Sequence, residues 1–262
     1  MIIKPIRWSF FIKLISLALV IAASGCNQGS YKNISDNPDV YFKENYTLNE
    51  LPRQVKHKIK VFNRGKAIKP DAVELELDIT RTDMETMSVI KTHSIKKIEK
   101  LGLGVVRSIE RRTKDGGLYA RVMDISYNGI MELKKETFKN NKKIHSHFHE
   151  VRTIDKISFD ISNMDVNKIY KIVYQAGRKI DEYNYEKYEV ECARKNKINA
   201  NFLNSTITGN AIGIMCKYYF KGEIYSTVKY WYIDSYGISI VNEIDDFGSI
   251  TTYRVRSFTP IL

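Results

Sequence analysis

Proline and glycine are scarce in this sequence, five and fourteen residues of 262, which excludes collagen-like, proline-rich and glycine-linker architectures. Cysteine is scarcer, at three residues. Missing altogether are the H-E-x-x-H, G-x-S-x-G, G-x-G-x-x-G and P-loop motifs, and with them the common signatures of metallopeptidases, esterases, dinucleotide enzymes and nucleotidases. Gly102-Leu103-Gly104 is too short to stand for any of them. Serine, histidine and aspartate are all present, but no spacing singles out a triad, which is defined by geometry rather than order. Neither heptads nor a repeat of about 20 to 50 residues runs through the chain. Nothing implies a cofactor.

What is present is a chain that can bury a core: 43% of residues are hydrophobic and 27% charged, the balance of one large or two small globular domains. Seventeen tyrosines and eleven phenylalanines favour a strand-rich body. The net charge is +12, but Lys4, Arg7 and Lys13 contribute to it from the first 25 residues, where no acid offsets them.

Those first residues fall into three zones: a basic start, an apolar run from Leu14 to Ala23 broken only by Ser16, and then Ala23-Ser24-Gly25-Cys26. This is the layout of a signal peptide over residues 1–25. The apolar run is about half of what spans a bilayer core, so a permanent transmembrane helix is the weaker alternative. The small residues ending in cysteine resemble the lipobox of bacterial lipoproteins. That resemblance implies cleavage before Cys26, acylation of its sulfur, and a membrane anchor of several acyl chains, since one chain alone holds only marginally. Asn27 follows where the inner-membrane retention signal of enteric bacteria has aspartate, so the resemblance implies an outer-membrane lipoprotein facing the periplasm.

Cys192 and Cys216 remain, an even pair in a chain expected outside the cytoplasm. Strand phasing puts Cys192 on the face of Val190, and Cys216 on the face of Ile212 and Ile214, so both sulfurs should point inward. A structural disulfide closing a loop of about 25 residues would stabilise the fold by roughly 3 kcal/mol. Two buried free thiols are the alternative. A metal site needs more ligands, and a redox role favours C-x-x-C.

Residues 26–69 read as a lipid-anchored tether and N-terminal segment: 27–49 are polar with little periodicity, and Leu51–Phe62 fits a short helix or an edge strand. Residues 70–262 read as an antiparallel β domain. Val73, Leu75, Leu77 and Ile79 alternate with Glu74, Glu76, Asp78 and Thr80, the pattern of a half-buried strand. Further strands are expected near Met87–Ile95, Gly104–Arg111, Leu118–Ser126, Ile130–Glu136, Ile144–Thr153, Tyr183–Ala193, Ala211–Phe220, Ile224–Tyr232, Ile238–Ile244 and Ile250–Phe258. Turns such as Lys114-Asp115-Gly116-Gly117 and Tyr127-Asn128-Gly129 supply the backbone angles of tight hairpins. The stretch 160–176 fits a short helix or two short strands and is a candidate seam. So many strands must curl, split or close. The expected fold is mostly β, a curved antiparallel sheet forming a half-barrel or sandwich with few short helices.

Lys229-Tyr230-Trp231-Tyr232-Ile233-Asp234-Ser235-Tyr236-Gly237-Ile238, followed by Val241-Asn242-Glu243 and the Asp246-Phe247-Gly248 turn, resembles the closing meander of LolA/LolB-like periplasmic half-barrels. The likeness spans about thirty residues. It implies a concave face that binds acyl chains or envelope partners, without carrying over any binding residue.

Three of the five histidines, His145, His147 and His149, alternate along one expected strand. Their spacing of about 6.5 to 7 Å would let two of them meet one Zn²⁺ or Cu²⁺, with Glu132 or Glu136 as a further ligand. The competing reading is a solvated polar face beside Lys139-Asn140-Asn141-Lys142-Lys143. Basic residues cluster at Lys96-Lys97, Lys100, Arg107, Arg111-Arg112 and Lys114, and from Lys134 to Lys143. They suit anionic lipid head groups or a solvated surface. Nucleic acid is not an expected partner of an exported chain, and the oligomeric state cannot be read. The residues point to a non-enzymatic envelope module that binds lipid or protein partners. An envelope hydrolase with a site assembled by the fold is the alternative: a close pocket holding a carboxylate or serine beside one of the histidines would favour it, and an apolar concave face lined by tyrosine and phenylalanine would favour the binder.

Overall fold

The structure is a computed structural model. It describes residues 37–62, 72–139, 145–158, 161, 164–166, 168–178 and 185–261, the side chains of 62 and 145–147 excepted. The chain divides after Tyr41, and Phe42–Leu262 is the larger unit. Helix α1 (Pro38–Asn45), a 3-10 turn (Leu48–Glu50) and helix α2 (Arg53–Phe62) precede the strands. These are β1 (Ala72–Asp83), β2 (Val89–Gly102), β3 (Val105–Lys114), β4 (Gly117–Tyr127), β5 (Met131–Lys139), β6 (His145–Ile157), β7 (Ile169–Gly177), β8 (Glu186–Asn199), β9 (Asn210–Phe220), β10 (Glu223–Ile233), β11 (Ile238–Asp245) and β12 (Ser249–Ile261).

Every strand pairs antiparallel with its sequence neighbours, and β1 pairs with β12, so the sheet closes into a barrel. This corrects the expected half-barrel or sandwich. The closing ladder runs from Ala72 opposite Ile261 to Asp83 opposite Ser249, and such pairing between chain ends leaves no mark on local periodicity. Closure removes the two edges that an open sheet would expose. The hairpin turns behave as their residues dictate: Asp115-Gly116 and Asn128-Gly129 both take positive φ at each position, which matches the twist of the strands they join.

Of the stretch 160–176, the described residues from Ile169 onward belong to β7, which is bonded to β6 and β8. Within the segment read as a tether, α1 forms and Phe42 and Tyr46 are buried. In α2, Val55 and Ile59, one helical turn apart, are buried, and this helix packs against β6.

Two apolar layers result. On β1, Val73, Leu75, Leu77 and Ile79 are buried inside the barrel while Glu74, Glu76, Asp78 and Thr80 face out. A membrane-spanning barrel has the opposite phase, with apolar residues toward lipid. Among the described residues no helix is long and apolar enough to cross a membrane. On β4, Val122, Asp124 and Ser126 line the lumen, and the alternate residues Met123, Ile125 and Tyr127 are at most 1% exposed. That outer face is therefore covered. Its neighbours show what covers it: the Lys134 ammonium lies 4.8 Å from the Tyr46 ring centre and donates to the Asn45 carbonyl at 2.8 Å, and Arg107 stacks on Phe42 at 5.1 Å.

The expected disulfide is present. Cys192 on β8 and Cys216 on β9 are directly opposed, bonded and buried.

Candidate functional site

The lumen has three zones along the barrel axis. The first is a filled apolar end, where Val73 and Val106 meet Ile233, Ile238 and Phe258. The β8–β9 connection wedges Ala200, Leu203 and Ile207 into it. β11 and β12 pair only over Glu243–Asp245. Beyond that point Asn204 donates its side-chain amide to the Arg256 carbonyl at 2.8 Å and Thr206 its hydroxyl to the Phe258 carbonyl at 3.2 Å. These side chains stand in for the missing partner strand, and the described residues fill this end of the barrel.

Above it lies a charged belt around a cavity of about 100 Å³. Arg112 makes a two-pronged pair with Glu110, at 2.8 and 3.0 Å. Burial raises the Glu110 pKa, but the Arg112 charge and hydrogen bonds outweigh it and hold the carboxyl down at about 2. Asp124 accepts from Ser108 and Ser126 and lies 3.7 Å from the Lys96 ammonium. Lys135 donates to Glu132. Desolvation opposes both charges of that pair, yet mutual attraction wins, lowering the Glu132 pKa and raising that of Lys135.

Glu132 and Lys135 are three residues apart, and a regular strand would turn them to opposite faces. A β-bulge makes them neighbours: Lys134 opposes Ile125 and Glu132 opposes Ser126, which leaves Leu133 unmatched. Leu133 and Lys134 then both face the covered outer side, where they are buried.

The third zone is an open mouth of about 550 Å³. Tyr174, Tyr188 and Phe220 occupy directly opposed positions on β7, β8 and β9. Their rings stack with centres 5.6 and 5.1 Å apart. A second bulge, between Ile224 and Ser226, brings Tyr225 and Ser226 onto the same wall, and Tyr225 meets the edges of Tyr188 and Tyr218. Deeper in, Tyr218 and Tyr230 share a 2.6 Å hydrogen bond, and Tyr218 donates to the Ile130 carbonyl at 3.0 Å. Burial drives the pKa of Tyr174, Tyr218, Tyr225 and Tyr230 upward, so all four stay neutral at physiological pH. Val228, Val241 and Ile244 complete the apolar wall.

Of the candidate metal ligands, His149 lines this mouth and touches Tyr174 and Tyr188 edge-on. The side chains of His145 and His147 lie outside the described residues. Glu132 shares the cavity with His149, whereas Glu136 is buried on the outer face. Among the described residues no group of three or more His, Cys, Asp or Glu could hold a metal ion. Cys26 also lies outside them.

The basic runs are dispersed. Lys96 and Arg112 face the lumen, and Lys134 and Arg107 lie against the N-terminal helical segment. The lumen serines hold acceptors other than an imidazole: Ser226 donates to Asp246 at 2.7 Å, and Ser239 to the Asn128 carbonyl at 2.7 Å.

No protein-family model and no curated protein matches the chain. Solved structures similar to it include a β-barrel-like protein of domain of unknown function DUF1849 from Brucella abortus, 7% identical with a TM-score of 0.42 over 75% of this chain and 100% of that one. A putative outer membrane lipoprotein-sorting protein domain from Vibrio parahaemolyticus is 9% identical, with a TM-score of 0.37 over 79% and 90%. The hypothetical lipoprotein YmcC from Escherichia coli is 8% identical, with a TM-score of 0.36 over 79% and 96%. Alignments this distant carry no functional inference.

Proposed function

We propose that this chain is a binding module of the cell envelope, held at a membrane surface through Cys26, whose barrel lumen receives the apolar part of an amphipathic ligand. The observation that carries the reading is the open mouth of about 550 Å³ walled by six aromatic side chains. That volume lies within the range of about 300 to 1,000 Å³ typical of small-molecule sites, which are apolar with a few placed polar groups. Fully neutral tyrosines offer hydrogen bonds without a charge to desolvate. The serines named above donate to carboxylates and a backbone carbonyl rather than to an imidazole, the base of the common serine hydrolases.

The test is displacement of N-phenyl-1-naphthylamine, a dye that fluoresces in apolar pockets. Val228 faces the cavity, and Thr227 beside it faces away. Val228→Trp should fill the lumen and weaken dye binding by at least about tenfold, or roughly 1.4 kcal/mol, while Thr227→Trp should not. Equal binding by both variants would refute the lumen as the site.

A further inference from the structure

From the charges at the inner end of the cavity we infer that the ligand enters polar end first, and that this end is zwitterionic rather than anionic. The inference rests on the lumen being the binding site. The belt holds three anions, Glu110, Asp124 and Glu132, and three cations, Lys96, Arg112 and Lys135, so it presents no net charge to a head group. Glu110 and Arg112 are locked by two hydrogen bonds, and Asp124 by its serines.

Glu132 and Lys135 differ from the others. They line both the inner and the outer cavity, and their side chains keep 46% and 28% exposure toward the lumen. A carboxylate and an ammonium side by side at the floor of an aromatic chamber can be matched by a cation and an anion on one small head group. A bare carboxylate would gain Lys135 but meet Glu132, with Asp246 a further acid on the cavity wall. The reverse orientation would press hydrocarbon onto ionised groups and strip their water without replacing it. Six aromatic rings would meanwhile face the polar end. The inner cavity is far larger than the roughly 10 to 15 Å³ that one water needs, so there is room for a head group or its waters.

Three amphiphiles with one hydrocarbon chain and different heads test this by displacing N-phenyl-1-naphthylamine below their aggregation concentrations: dodecylphosphocholine, dodecanoate and dodecyltrimethylammonium. On the wild-type protein the zwitterion should compete at least about tenfold better than the carboxylate. Glu132→Gln leaves a cation in excess and should strengthen dodecanoate. Lys135→Gln leaves an anion in excess and should strengthen dodecyltrimethylammonium. Opposite shifts in two variants of one pair cannot come from a common loss of fold. Equal competition by all three heads on the wild type would overturn the inference and leave the lumen reading standing, as would a ranking that neither variant changes. Failure of every amphiphile to displace the dye would overturn both.

Discussion

Single residues decide which side chains this lumen holds. Leu133, unmatched in the β4–β5 ladder, brings Glu132 and Lys135 to one face, and nothing in the order Glu-Leu-Lys-Lys announces it. The strand phase that turns Val190 and Cys192 inward also carries Tyr188 to the lumen, but the aromatic wall itself was not expected from the sequence, because it is assembled from strands β7, β8, β9 and β10. Tyr225 also depends on a bulge. Glu110 supplies a pH signature. Glu110 is 4% exposed, and its carboxyl has a pKa of about 2 in the folded state against an ordinary 4.5. A depressed carboxyl stabilises the fold above its unfolded pKa, and that contribution fades as pH falls from about 4.5 toward 2, by about 3 kcal/mol. Denaturant titrations across this range should show the loss in the wild type. Glu110→Gln should be less stable at pH 7 and should lack that share of the acid dependence.

Elements with a strong period were legible, and weakly patterned ones were not. Strand β1 alternates cleanly and was expected within a few residues of its bounds. Helix α1 carries only Phe42 and the neighbouring Tyr46 as buried anchors in the larger unit, too few to show a helical period in a polar stretch. Strand β7 begins with Ile169 exposed and has Ile172, Val173 and Tyr174 all buried at its centre, because both of its faces are covered there, and a strand covered on both sides loses its alternation. The cover over the outer face makes a prediction at this scale. Ile59→Ala on α2, which removes a side chain only 1% exposed, should cost about 2 to 5 kcal/mol. Lys60→Ala, one residue on and exposed, should change stability by no more than about 0.5 kcal/mol. Equal effects in thermal melts would show that the helix is not part of the folded body.

At the scale of the whole molecule, the proposed lipid anchor at Cys26 is tested apart from the fold. Cys26→Ala should abolish labelling with radioactive palmitate and leave an uncleaved or soluble form, while the purified variant should bind the dye as the wild type does. Closure of the barrel was the least legible property, because it depends on Val73 finding Pro260 and Ile79 finding Tyr253 across most of the chain. The filled end of the barrel has a consequence for traffic. On the proposed reading, a lumen filled at one end by the described residues gives a bound molecule no exit opposite its entrance, so it leaves by retracing its path. If its head leads on the way in, its tail leads on the way out. The hydrocarbon end would then be the first part to meet whatever receives the cargo, and a bilayer facing the mouth would take it up without having to turn it around.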